Sequence, residues 1–275
     1  MSALDRSQLR SRYHITGEIV MDTALHIGGH GSSTITDSPI IRNGDNQPFI
    51  PGSSLKGAFR ATVERIAPNI SRLRTCGLSD ADDACANVLR EKTRDTERSE
   101  DELLKLLDGV LCDVCRVFGS THLASAVLFH DAPMTDVWRD LPEVPTQIRD
   151  GVGIDRDSER ARDGVKFDFE VVPPQTTFEF NLILENPTDE ALGLIALGIQ
   201  EFRGGMIHLG GIRSRGLGRC HLDITNVQYV DFGDMGSLTA YLTDDKWQEM
   251  SIQDFITKYL TPLLAKEGTH AQTAS

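Results

Sequence analysis

Thr177-Phe-Glu-Phe-Asn-Leu-Ile-Leu184 alternates apolar and polar residues, and Phe167-Asp-Phe-Glu-Val-Val172 begins the same way before the Pro173-Pro174 break. A period of two puts successive side chains on opposite faces of a pleated strand, so these runs predict strands on either side of a turn. Downstream, Glu190–Phe202 has amphipathic helical spacing, and Gly216–Val230 reads as a closing strand. Upstream, Tyr13–Val20 alternates as a strand and Ser125–His130 is another. Pro51-Gly-Ser-Ser-Leu-Lys-Gly-Ala-Phe-Arg60 leads into a helix with Ser53 or Ser54 as N-cap, ending near Ile66 because Pro68 cannot continue it. With insertions set aside, the order is strand, helix, strand, strand, helix, strand. That predicts an α+β chain with a ferredoxin-like, RRM-like βαββαβ core.

The polar, cysteine-bearing stretch 70–118 reads as an insertion between core segments 12–69 and 120–232. Residues 233–275 are expected to form a helical C-terminal extension with a disordered tail after Ala265. No apolar run approaches the roughly 18 residues that span a bilayer. Met1–Arg12 lacks the apolar segment of a signal peptide, so a cytoplasmic protein with no membrane partner is expected.

The net charge of −13 argues against an autonomous, sequence-indifferent nucleic-acid binder. Phosphate responds to the local field, however, and the acids concentrate at Asp80–Asp108 and Asp244–Glu249. Arg203–His221 contains Arg203, Arg213, Arg215 and Arg219 with no Asp or Glu, and six glycines fall among the sixteen residues Gly204–Arg219. Gly210 and Gly211 would let the backbone approach a ligand, while Arg213 and Arg215 fork onto phosphate or stack on bases. The alternative is a loose hairpin connection with solvated arginines. A second constellation runs from Leu25-His-Ile-Gly-Gly29 through Thr36-Asp-Ser-Pro-Ile-Ile-Arg42 to Ile50–Gly57. Here the helix start at Ser53 and Ser54 offers amides to an anion, and Lys56 and Arg60 lie one turn apart.

Among five cysteines, Cys76 and Cys85 form one pair and Cys112-Asp-Val-Cys115 another, enough for a closed tetrahedral structural zinc site. Four buried thiols are the alternative. His122 or His130 could replace a cysteine, and Cys220 reads as a core thiol.

Ile50-Pro-Gly-Ser-Ser-Leu-Lys-Gly57 with a downstream glycine-arginine loop resembles the RAMP superfamily, specifically the backbone subunits of type III CRISPR effector complexes. Leu25–Gly29, Asp37-Ser-Pro39, Arg116-Val-Phe-Gly-Ser120 and Gly153-Ile-Asp-Arg156 fit the same pattern, from about Ile15 to Val230. The resemblance implies a subunit that stacks with its neighbours along a guide RNA, gripping it with the sheet, the first helix and the glycine-rich loop. It also implies a β-hairpin thumb within about 140–168, with Arg156 near RNA, that interrupts the guide–target duplex. Asp37 would match the residue that cleaves target RNA at each interruption. Chemically, a lone Asp can hold a divalent cation such as magnesium or help deprotonate a 2′-OH. Asp-Ser-Pro is also ordinary turn chemistry, which leaves an Asx-turn cap open. His26 could aid proton transfer or serve structure. Three roles follow: a guide-binding subunit that cleaves through Asp37, a non-catalytic scaffold, and a stand-alone guide-processing endoribonuclease.

Overall fold

The computed structural model describes residues 4, 6–29, 36–76, 82, 84–94, 98–141, 144–154, 157 and 161–265. In chain order come β1 (Ser11–Met21), β2 (Phe49–Ile50), α1 (Gly52–Ile66), α2 (Cys85–Thr93), α3 (Glu100–Val110) and α4 (Asp113–Phe118). Next are β3 (Val127–Phe129), β4 (Ala132–Pro133), α5 (Asp136–Arg139), β5 (Gln147–Ile154) and β6 (Ala161–Val171). The chain closes with β7 (Thr177–Glu185), α6 (Asp189–Arg203), β8 (Cys220–Asp231), α7 (Met235–Asp244), β9 (Gln248–Met250) and α8 (Ile252–Leu264).

The main sheet is antiparallel, in the order β3-β7-β1-β8-β9. Tyr13, Ile15, Ile19 and Met21 of β1 point to the core beside Phe178, Phe180, Leu182 and Leu184 of β7, as period-two alternation requires. On the other face Glu18 stands in register with Glu179 and with Asp223. This row of exposed carboxylates crosses three strands. Arg139 reaches Glu179 at 3.4 Å, and His221 lies 3.8 Å from Asp223. Like charges set opposite one another destabilise a sheet and repel a polyanion, so this row leaves that part of the face acidic.

The core lies on the opposite side. α1 buries Gly52, Leu55, Phe59 and Val63 on one stripe, and Phe59 packs against Phe118 and Phe129. α6 is more apolar than the amphipathic pattern suggested. It buries Ala191–Ile199 and Phe202, because it is enclosed by the sheet, α1, α4 and α8. On α8, Tyr259 meets Tyr13 of β1 in a buried hydrogen bond of 2.8 Å, which ties the C-terminal extension to the centre of the sheet.

The 70–118 stretch contributes Leu89, Leu107, Leu111, Val114 and Phe118 to the same core. It is therefore anchored by apolar burial, although its sequence reads as a polar insertion. β5 and β6 form a separate antiparallel hairpin. No helix among the described residues is long and apolar enough to cross a membrane. The expected disordered tail, 266–275, lies outside the described residues.

Candidate functional site

Asp37 is held against β6 by a reciprocal exchange. Its amide donates to Asp168 Oδ1 at 2.8 Å, and the Asp168 amide donates to Asp37 Oδ2 at 3.1 Å. Asp37 is exposed, and its Oδ1 has no protein partner among the described residues. The next residues continue the strap. Ser38 bridges Phe169 in parallel, and the Glu170 amide donates to Ser38 O at 3.0 Å. Glu170 then accepts from the Ile40 amide and from Arg42, at 3.2 and 2.6 Å. Burial alone would raise the Glu170 carboxyl; bonds from Thr146, the Ile40 amide and Arg42 outweigh it and hold the group below its ordinary range.

His26 sits beneath this strap, 7% exposed. Its Nδ1 lies 2.7 Å from the Glu170 carbonyl, so Nδ1 carries the proton. Its Nε2 is left to accept from the Ser38 hydroxyl at 3.3 Å. With both nitrogens occupied and the ring edge-on to Phe169, His26 has a structural environment.

The glycine-arginine loop packs onto the same segment. The Gly211 amide donates to His26 O and the Gly218 amide to Ala24 O, each at 2.9 Å. Gly210 has φ +75°, and a Cβ there would lie 2.2 Å from His26 O. The glycine at 210 is thus required by backbone packing within the protein, where the sequence suggested room for a ligand. Beyond it, Arg213 and Arg215 are exposed on a short 3-10 turn. The Arg215 guanidinium stands 5.6 Å over the Phe167 ring, next in sequence to Asp168. Asp37 and the arginine-bearing loop therefore meet β6 at neighbouring residues, Asp168 and Phe167. Arg156 lies outside the described residues.

The start of α1 differs from expectation. The N-cap position is Pro51, and neither Ser53 nor Ser54 caps the helix. Instead Asp131 Oδ1 accepts from the Gly52 amide at 2.7 Å. A Cβ at position 52 would lie 2.3 Å from Phe129 O, so the helix begins pressed against β3 and the carboxylate reaches it from there. Ser53 and Lys56 line a shallow groove of about 330 Å³ with Val127–His130. The Lys56 ammonium is shifted below its ordinary range by burial, then by Arg60 and Arg6, as befits a cation among cations. Arg60 turns inward: Nε donates to Glu64 at 2.7 Å, Nη1 to Gly119 O at 3.1 Å and Nη2 to Cys115 Sγ at 3.6 Å.

The Sγ atoms of Cys76, Cys85, Cys112 and Cys115 all lie within 4.8 Å of one another. Cys76 is 3.6 Å from Cys112 and 3.8 Å from Cys115. A tetrahedron with metal–sulfur bonds of about 2.3 Å has edges of about 3.8 Å, whereas a disulfide needs about 2.05 Å. This cluster can hold a metal ion. Hydrogen bonds from the Cys115 side chain and amide hold the Cys112 thiol down at about 5, while burial pushes Cys85 up to about 12. His122 bonds Thr93 and Thr121 and stays outside the cluster. Cys220, also pushed up to about 12 by burial, is the expected core thiol.

Sequence reasoning missed Asp168, Asp131 and Glu170 as partners of the site. Their signal was present in the polar positions of Phe167-Asp-Phe-Glu170, which strand periodicity alone accounted for.

Comparison with known proteins places these features. A CRISPR system Cms endoribonuclease Csm3 from Methanocaldococcus jannaschii is 28% identical over 245 residues, covering 78% of this chain and 80% of that protein. The protein of the same name from Streptococcus thermophilus is 27% identical over 244 residues, covering 85% of this chain and 97% of its own. One from Enterococcus italicus is 41% identical over a shorter stretch of 59 residues, 20% of this chain and 28% of its own. A family model described as the RAMP superfamily matches residues 18–221, from the second half of β1 to the start of β8, and the chain belongs to that superfamily.

Proposed function

We propose that this chain is a guide-RNA-binding backbone subunit of a type III CRISPR ribonucleoprotein in the cytoplasm, and that it cleaves target RNA at Asp37. The observation that carries the reading is that Asp37 and Arg215 both contact the β5–β6 hairpin, at the neighbouring residues Asp168 and Phe167. Kinship with proteins named as Csm3 endoribonucleases supports it. RNA would run over Ser53, Ser54, Lys56, Gly210, Gly211, Arg213 and Arg215, with Arg156 near the hairpin tip and the β5–β6 hairpin acting as the thumb. Asp37 would offer its Oδ1 to a divalent cation such as magnesium, or draw a proton from a ribose 2′-OH. Partners would be guide RNA, target RNA and the other subunits of the complex. The core would be ferredoxin-like, a reading supported by the strand order β3-β7-β1-β8 with α1 and α6 on one side. The four cysteines would hold structural zinc, supported by sulfur–sulfur distances near a zinc tetrahedron's edge.

In the assembled complex, Asp37→Ala should abolish one set of target cuts while assembly and target binding persist. Unchanged cutting would remove Asp37 from the chemistry. One observation favours a non-catalytic scaffold: Asp37 Oδ2 is committed to the Asp168 amide, a long-range tie that fastens the strap to β6. Cuts mapped wholly to sister subunits would select that reading.

A further inference from the structure

We propose that Arg60 is a positioning residue of the four-cysteine metal centre, and not a phosphate contact as its place on α1 suggested. The inference rests on the zinc reading above. Four thiolates around a divalent zinc carry a net charge of about −2, and charge of that size in a buried site calls for hydrogen-bond donors and positive charge in the surrounding shell. Among the described residues, three of the four sulfurs receive an N–H. Cys85 Sγ accepts from the Cys112 amide at 3.2 Å, and Cys112 Sγ from the Cys115 amide at 3.4 Å. Both donors belong to the Cys112–Cys115 segment at the start of α4. Cys115 Sγ accepts instead from Arg60, a residue of α1 more than fifty positions earlier. That bond brings a guanidinium, itself ion-paired with Glu64, to the sulfur and couples the centre to the core helix.

The guanidinium is fixed for this task on three sides. Nε is held by Glu64 one turn on, Nη1 by the Gly119 carbonyl just past α4, and Nη2 by the sulfur. Gly119 and Cys115 are the two ends of the turn that closes α4, since the Gly119 amide donates to Cys115 O at 3.0 Å. A single side chain thus clamps the ligand and the end of its helix together. The planar fork of arginine suits such a three-way bond; the point charge of lysine does not. Lys56, one turn before Arg60, lines the groove with Ser53 and is the cation left for RNA.

The test compares full-length wild type with Arg60→Met, Arg60→Lys and Lys56→Ala. Zinc per chain is measured first, then the rate of zinc transfer to a chromophoric chelator. Affinity for a synthetic single-stranded RNA is measured at saturating zinc. Loss of an outer-shell partner weakens metal binding by roughly 10–100-fold. Arg60→Met should therefore release zinc at least about tenfold faster, with Arg60→Lys between it and wild type, while Lys56→Ala matches wild type. Release from Arg60→Met at the wild-type rate overturns the proposal. So does a tenfold loss of RNA affinity by Arg60→Met at saturating zinc, because that makes Arg60 an RNA contact. If Arg60→Met does not fold, Arg60→Lys decides, and release at the wild-type rate counts against the proposal. Wild type that binds zinc but no RNA defeats the functional reading and leaves the zinc comparison to decide this one.

Discussion

Replacing Gly210 with alanine would put a methyl carbon 2.2 Å from the His26 carbonyl oxygen, at a residue whose φ is +75°. Two costs add. An L-residue in the left-handed region costs about 1–2 kcal/mol. Relieving the contact means opening about 1 Å between loop and His26, since ordinary contacts are near 3.5 Å. That displacement breaks the 2.9 Å Gly211–His26 bond, worth about 1 kcal/mol. The sum is about 2–3 kcal/mol, or a melting point lower by roughly 5–10 °C in a chain of this size. Gly216→Ala is the control. Its φ is +86°, but nothing lies within 4 Å of the added carbon, so only the backbone cost of about 1 kcal/mol applies. Thermal and urea unfolding of both variants reads the difference directly. Equal destabilisation of the two would refute the claim that Gly210 is required by packing on His26.

Glu170 makes stability depend on pH. Its folded-state acid is stronger than the unfolded one, so the stabilisation is present above the unfolded value and lost as pH falls through the folded value. Urea titrations from pH 6 to pH 3 should show a loss in wild type that is reduced in Glu170→Gln; superimposable profiles would contradict this. Removing zinc with a chelator should lower the melting point by on the order of 10 °C, given about 4 kcal/mol for a ligand present at a thousand times its dissociation constant. An unchanged melt after verified metal removal would mean the cluster contributes nothing to the fold.

What was legible followed from local rules. β7 begins at the expected Thr177 and ends one residue past Leu184, because alternation at period two is written into consecutive residues. α6 is right to within a residue at each end. The cysteine pairs were legible because ligand chemistry restricts the residue types and Cys112/Cys115 keep a short spacing. What stayed hidden is nonlocal. The α1 cap comes from Asp131, 79 residues away, and the Asp37 partner is 131 residues away. Neither separation leaves a periodic trace. The glycines of the 204–219 loop were visible, but His26, the group that requires Gly210, lies far back in the chain.

The row Glu179–Glu18–Asp223 has a consequence for how the molecule meets other molecules. On an acidic protein this exposed row, with Arg139 and His221 beside it, makes one part of the sheet face locally negative. On the proposed function, such a local field repels a nucleic-acid strand that approaches this part of the face and favours arrival from elsewhere. Such sorting acts on the association rate, and it fades as added salt shortens the reach of the field below about 10 Å.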